Sequence, residues 1–192
     1  MSAEKTTSQD IVSSGLLAGT GSGEQTKATG RFDIKCLDKD GNVKWEASNH
    51  NLVVNVGLQY MAGAALTSTT QITAWYIGLY GAAASNNPAA GDTTASHAGW
   101  TEVTTYSNAT RVAATFAAST AANPSVVTNS ASPATFNMNG TTTVGGAFLV
   151  SLSTKGGTTG TLFSAADFQS PGDRSVISGD SIVVTYTMSL AG

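Results

Sequence analysis

Charge is what this chain has least of: only 11% of its 192 residues are Asp, Glu, Lys or Arg, against roughly 25% in an average soluble domain. A net charge of −3 and a pI near 5.2 leave no basic face of the kind that holds a phosphate backbone, so direct nucleic-acid binding is not expected. The single cysteine, Cys36, has no partner for an internal disulfide and supplies too few ligands for a structural zinc site. It reads as a small buried hydrophobe in a strand. The two histidines, His50 and His97, belong to no zincin-type or carboxylate-histidine helix. No apolar run approaches the roughly 20 residues of a membrane helix, and the first fifteen residues hold no signal-peptide core. The expectation is therefore a soluble chain with no cofactor, no metal and no membrane partner.

What is abundant is small or hydroxylated: Ala, Gly, Ser and Thr make up slightly more than half of the sequence. Such a composition suits short, Thr-rich strands and tight turns, and it fits long helices and coiled coils poorly. Residues 1–30 are set apart as an extended N-terminal arm. Ile11, Val12, Leu16 and Leu17 are its only apolar cluster, and Gly19, Gly21 and Gly23 form a flexible linker after them. Those glycines follow no strand and open no amphipathic helix, so they are not read as a phosphate-binding turn.

Residues 31–192 read as one β-sandwich domain. Phe32, Ile34 and Cys36 alternate with polar neighbours, the turn Asp38-Lys39-Asp40-Gly41-Asn42 follows, and Val43, Trp45 and Ala47 resume the alternation. That pattern predicts a β-hairpin over 31–48. The acidic ladder of this turn stops at Asp40, too early for a calcium loop. Apolar residues at spacings of three and four, including Leu52, Val56, Tyr60 and Ala64, predict an amphipathic helix within 51–66, laid against a sheet. Ile72–Tyr80 is the strongest strand candidate and belongs in the centre of a sheet. A long loop is expected over 81–106, with further strands at 111–116, 134–139, 143–153, 161–164 and 181–190. In the last, Ile182, Val184, Tyr186 and Met188 share one face, the one-sided burial of an antiparallel sandwich. Seven or eight such strands with frequent turns predict a mainly β, antiparallel, jelly-roll-like sandwich.

Catalytic signatures are missing from the sequence. Asp92 and Glu102 flank the long loop but make a weak candidate for a carboxylate dyad, and His97 is expected to hydrogen-bond beside Trp100. Gly156–Gly160 lacks the lysine of a P-loop and reads as a hairpin turn. Trp100 is a possible loop contact, because an exposed indole can stack on a sugar ring.

Several strings, in order along the chain, carry a resemblance. They are Asn55-Val56-Gly57-Leu58; Trp75-Tyr76-Ile77-Gly78-Leu79; Ala90-Gly91-Asp92-Thr93; Ser96-His97-Ala98-Gly99-Trp100-Thr101-Glu102; Tyr106-Ser107-Asn108-Ala109-Thr110-Arg111; Gly145-Gly146-Ala147-Phe148-Leu149; Gly156-Gly157-Thr158-Thr159-Gly160-Thr161-Leu162; and Ser175-Val176-Ile177-Ser178-Gly179-Asp180. Over roughly 49–190 the chain resembles tailed-bacteriophage virion structural proteins of the head decoration or cement type. The resemblance implies a non-enzymatic role on the capsid exterior of a virion assembled in the host cytoplasm. The partners it implies are the major capsid protein and neighbouring copies of the chain itself in a homo-oligomer. It carries no catalytic residue. The arm and the first hairpin lie outside it, and there the physical reading assigns Ile11, Val12, Leu16 and Leu17 as anchors in apolar pockets of a neighbouring subunit. The alternatives are a tail, neck or fibre-associated virion protein, and a carbohydrate-binding adhesin module using Trp100.

Overall fold

The first hairpin forms where the alternation places it. In the computed structural model, which describes residues 26–82, 87–169 and 172–192, β1 (Lys27–Leu37) and β2 (Val43–His50) are antiparallel neighbours. Between them Gly41 takes a φ of 85°, which an L side chain resists. The Asp38 carboxylate accepts from the backbone N–H groups of Asp40 and Asn42 at 2.9 and 2.8 Å, closing the turn with an acid that prefers such positions. β1 begins at Lys27, so the last residues of the expected arm are already strand.

The opposite edge of β1 is taken by β13 (Ser181–Ala191), in unbroken antiparallel register from Lys27 opposite Ala191 to Leu37 opposite Ser181. Beyond β13 lie β7 (Ser125–Thr128) and β8 (Ala134–Asn137), each paired with a different half of it. The second sheet runs β3 (Leu52–Val53), β11 (Leu162–Asp167), β10 (Gly146–Val150), β4 (Tyr76–Ala82) and then β5 (Trp100–Val103), with β6 (Val112–Ala113) also on β4. A small ladder joins β9 (Thr142–Val144) to β12 (Arg174–Val176). Among the described residues every pairing is antiparallel and the fold is mainly β, a sandwich of two sheets with one helix.

Phe32, Ile34, Ile182 and Val184 from the first sheet meet Ile77, Leu79, Ala147 and Leu149 from the second in a common core, all essentially buried. Each large aliphatic side chain placed there stabilises the fold by about 1.5–3 kcal/mol. The inward set Ile182, Val184, Tyr186 and Met188 matches the period-2 expectation, with Met188 at the half-buried margin. Cys36 lies in this core, fully buried.

The helix α1 (Asn55–Leu66) stands where the apolar spacing predicts one. Its contact with the sheet is narrower than expected. Gly57 is its one fully buried residue, pressed so closely on the Phe163 carbonyl that a Cβ there would sit 2.2 Å from the oxygen. Tyr60 packs edge-on to Trp75, which packs edge-on to Phe163, centroids 5.4 Å apart in each pair. Leu58 and Leu66 remain 46% and 86% exposed. The cause is in the sequence: α1 has no charged residue, so its apolar groups surround the axis instead of forming one stripe. Thr67 ends the helix by donating both its N–H and its hydroxyl to the Gly63 carbonyl.

Other boundaries also move. The strand expected from Ile72 starts at Tyr76, because the Ile72 N–H is bonded to the Tyr60 hydroxyl and not to a neighbouring strand. The run 143–153 divides into β9 and β10 at Gly145, whose N–H donates to Tyr80 and whose carbonyl accepts from Phe168. The loop expected over 81–106 contains β5, and β7 and β12 form where no strand is expected. These strands are three or four residues long, too short for a period to declare itself.

Candidate functional site

The outer face of the second sheet carries a second buried layer, and most of the sequence's candidate residues converge on it. Tyr80 on β4 stands opposite Gly146 on β10, and Phe148 on β10 stands opposite Gly78 on β4. Each ring lies over its glycine: a Cβ on Gly146 would come within 2.0 Å of the Tyr80 ring, and one on Gly78 within 2.2 Å of Phe148. Glycine inside a strand here marks close approach of an aromatic to the backbone. Val54, Val150, Leu162 and Ala165 complete the apolar floor.

The chain from Pro88 to Gly99 covers this floor through Trp100. The indole is buried, stacked on His97 at 3.8 Å and 22°, and it meets Tyr80 and Phe148 at 5.0 and 5.1 Å on its other contacts. Its Nε1 donates to the Asp92 carboxylate at 3.0 Å, which also accepts from the Ala89 N–H at 3.0 Å. His97 Nδ1 donates to the Trp100 carbonyl at 2.9 Å, the hydrogen-bonding role expected of it. With its edge and one face so engaged, Trp100 works as the keystone of a folded loop and presents no open platform to a sugar ring.

Glu102 is bound to a residue that sequence reasoning passed over. Arg111, 2% exposed, donates from Nε and Nη2 to the two Glu102 carboxylate oxygens at 2.9 and 2.7 Å. Its remaining donors reach the carbonyls of Leu152 and Gly157 at 3.0 and 2.9 Å, and its guanidinium lies 5.2 Å from the Phe148 ring centroid. Glu102 also accepts from the Gly156 N–H at 2.8 Å. The Gly156–Gly160 turn is thereby tied to the sheet by one fork-to-fork ion pair, a geometry arginine provides and lysine does not. Lys155 adds a bond to the Tyr106 carbonyl at 3.0 Å. The available signal was isolation: no Asp, Glu, Lys or Arg lies between Glu102 and Arg111, or between Arg111 and Lys155. Asp92 and Glu102 thus serve separate partners and do not face each other as a dyad.

At the other rim, Tyr80 crosses Gly146 towards Asp167, which is in register on β11. The hydroxyl approaches the Asp167 carboxyl without completing an ordinary hydrogen bond. Burial, then the nearby Asp173 carboxylate, raises the Asp167 pKa above its usual value, and burial with those two acids holds the Tyr80 phenol protonated. Near the hairpin end, Lys44 pairs with the buried Asp180 at 2.5 Å. Burial, reinforced by Asp180, pushes the Cys36 thiol up to about 11.

A shallow groove of about 640 Å³ runs over the outer face of the first sheet between Asp33, Lys35, Glu46, Ser48, Pro133 and Thr185. His50 is exposed at the end of β2. Among the described residues, no three of His, Cys, Asp and Glu gather as metal ligands, and no helix is long and apolar enough to cross a membrane. The expected anchors Ile11, Val12, Leu16 and Leu17 lie outside the described residues. No family model, curated protein or solved structure matches the chain.

Proposed function

We propose that this chain is a non-enzymatic virion structural protein, a decoration or cement protein that binds the major capsid shell of a tailed phage and stabilises it from outside. The observation that carries this reading is the combination of a two-sheet body with its loops locked onto it and an apolar-bearing N-terminal arm entering at β1. A clamp between capsomers needs those two parts: a body that does not deform under load, and a segment able to reach a neighbour. The resemblance of the ordered strings to virion proteins points the same way. The inward commitment of Trp100, Asp92, Glu102 and Arg111 favours a scaffold role for the long loop over glycan recognition. Contacts with the shell and between copies are dominated by apolar groups and backbone pairing, because charge is scarce, and they respond weakly to salt.

The test is cosedimentation of the purified protein with shells of the corresponding major capsid protein, using the full chain and a truncation that begins at Thr26 and so leaves β1 whole. Saturable, arm-dependent binding with raised thermal resistance of the shell is the expected result. Failure of the full chain to bind intact shells overturns the reading in favour of a tail or neck component.

A further inference from the structure

The end of the sandwich at which β1 begins exposes several large apolar side chains. Of the six large hydrophobic side chains left exposed among the described residues, Leu52, Leu58, Leu66 and Leu190 sit on β3, α1 and the last residues of β13. β3, which leads directly into α1, and β13 both meet the start of β1: the Asn51 N–H donates to the Gly30 carbonyl at 3.0 Å, and Lys27 and Ala28 pair with Ala191 and Leu190. No Asp, Glu, Lys or Arg occurs anywhere between Glu46 and Asp92. A stretch of surface without charge that exposes several leucines is one that a partner covers.

We propose that this end is the docking site for the Ile11–Leu17 segment of a second copy of the chain, exchanged reciprocally between two copies that meet end to end. The inference rests on the arm-anchor reading above and names the surface that receives the anchors. The direction of β1 favours a facing copy over the same one. β1 runs inward from Lys27, so a segment that kept the strand's direction beyond this end would meet a facing molecule, whereas docking on the parent end would require a reversal. The reach is sufficient, since the eight residues Ala18–Gln25 extend up to ~27 Å, more than the ~18 Å length of α1. The chemistry matches as well: Ile11, Val12, Leu16 and Leu17 lie in a stretch from Ile11 to Gly23 with no charged residue. Because the exit and the acceptor share one end, a single two-fold contact satisfies both arms at once and closes the assembly.

The experiment uses the full-length protein alone, without shells, so that its outcome is independent of capsid binding. Sedimentation velocity is measured for the wild type, for the fourfold arm variant I11S/V12S/L16S/L17S and for L58S/L66S, whose substituted positions are exposed and leave the melting curve unchanged. The expected result is a dimer whose dissociation constant rises at least tenfold in each variant. In a Cys36→Ser background, chains carrying Leu17→Cys are mixed with chains carrying Leu58→Cys, and an oxidised cross-link between the two kinds of chain is expected. A monomer at every concentration, a dimer indifferent to both variants, or cross-linking confined within a doubly substituted chain overturns the proposal.

Discussion

Tyr80 and Gly146 face each other across β4 and β10, and the phenol ring occupies the space a side chain on Gly146 would need. The relation is repeated in reverse two pairs along, by Phe148 over Gly78. Two glycines that weaken their strands in isolation thus create the trough in which the second aromatic layer is seated.

Gly146→Ala and Gly78→Ala therefore destabilise the fold. Overpacking of this kind costs about 1–3 kcal/mol or more, and each kcal/mol lowers Tm by roughly 2–4 °C in a chain of this size. Gly91→Ala, where a Cβ would meet nothing within 4 Å, is the neutral control. Calorimetry of the three variants checks the ranking.

Arg111→Met leaves the Glu102 carboxylate buried and facing no cation, at a cost of about 3–5 kcal/mol. Adding Glu102→Gln removes the stranded charge while keeping an acceptor for the Gly156 N–H, so the double variant is more stable than Arg111→Met alone. Urea denaturation of the four proteins in a double-mutant cycle measures the coupling.

Two aspartates bend the pH profile of stability in opposite senses. The Asp38 pKa is lowered, chiefly by hydrogen bonds from the Asn42 side chain and backbone. Its stabilisation is present above the unfolded carboxyl pKa of about 3.9 and is lost as pH falls through the lower folded value. The Asp167 pKa is raised by burial and by Asp173. Its contribution is full below the unfolded pKa and disappears as pH rises through the folded one. Asp38→Asn consequently flattens the acid limb, and Asp167→Asn relieves a loss on the less acidic side. Chemical denaturation from pH 2 to 7 separates them.

The Cys36 thiol, buried and pushed up to about 11, has almost no thiolate at neutral pH. Alkylation by iodoacetamide at pH 8 is expected to proceed only as fast as the protein opens, and to become rapid in denaturant. Mass spectrometry of timed samples checks it. Labelling of the folded protein at the rate of a free thiol contradicts the placement of Cys36.

The sheets were legible wherever one long strand buries a single face. Phe32, Ile34 and Cys36, and the run Ile182 to Met188, announce their burial by period alone, and α1 by its three-and-four spacing. The second layer was not legible in the same way. Trp100, Arg111 and Phe148 are brought together by β4, β5 and β10, and no local pattern records which strands will be neighbours. Gly78 and Gly146 held a usable clue, since a glycine within an apolar run predicts a close approach. Arg111 held another as the only cation within a long neutral stretch. Leu58 and Leu66 misled for the opposite reason: their spacing announces a helix and says nothing of which side meets the protein.

The pairing of β1 with β13 imposes an order on synthesis. Leu37 emerges from the ribosome long before Ser181, its partner in the register, and at ~5–20 residues per second the delay is on the order of 10–30 s. Throughout that interval the early hairpin has β2 on one side and nothing on the other, while Phe32 and Ile34 have no opposing sheet. The centre of the first sheet can close only after nearly all of this sequence has been made. Vectorial folding from the N-terminus is thereby ruled out for the sandwich core, and the nascent chain spends those seconds with an unpaired strand edge that a chaperone or a sister chain can occupy.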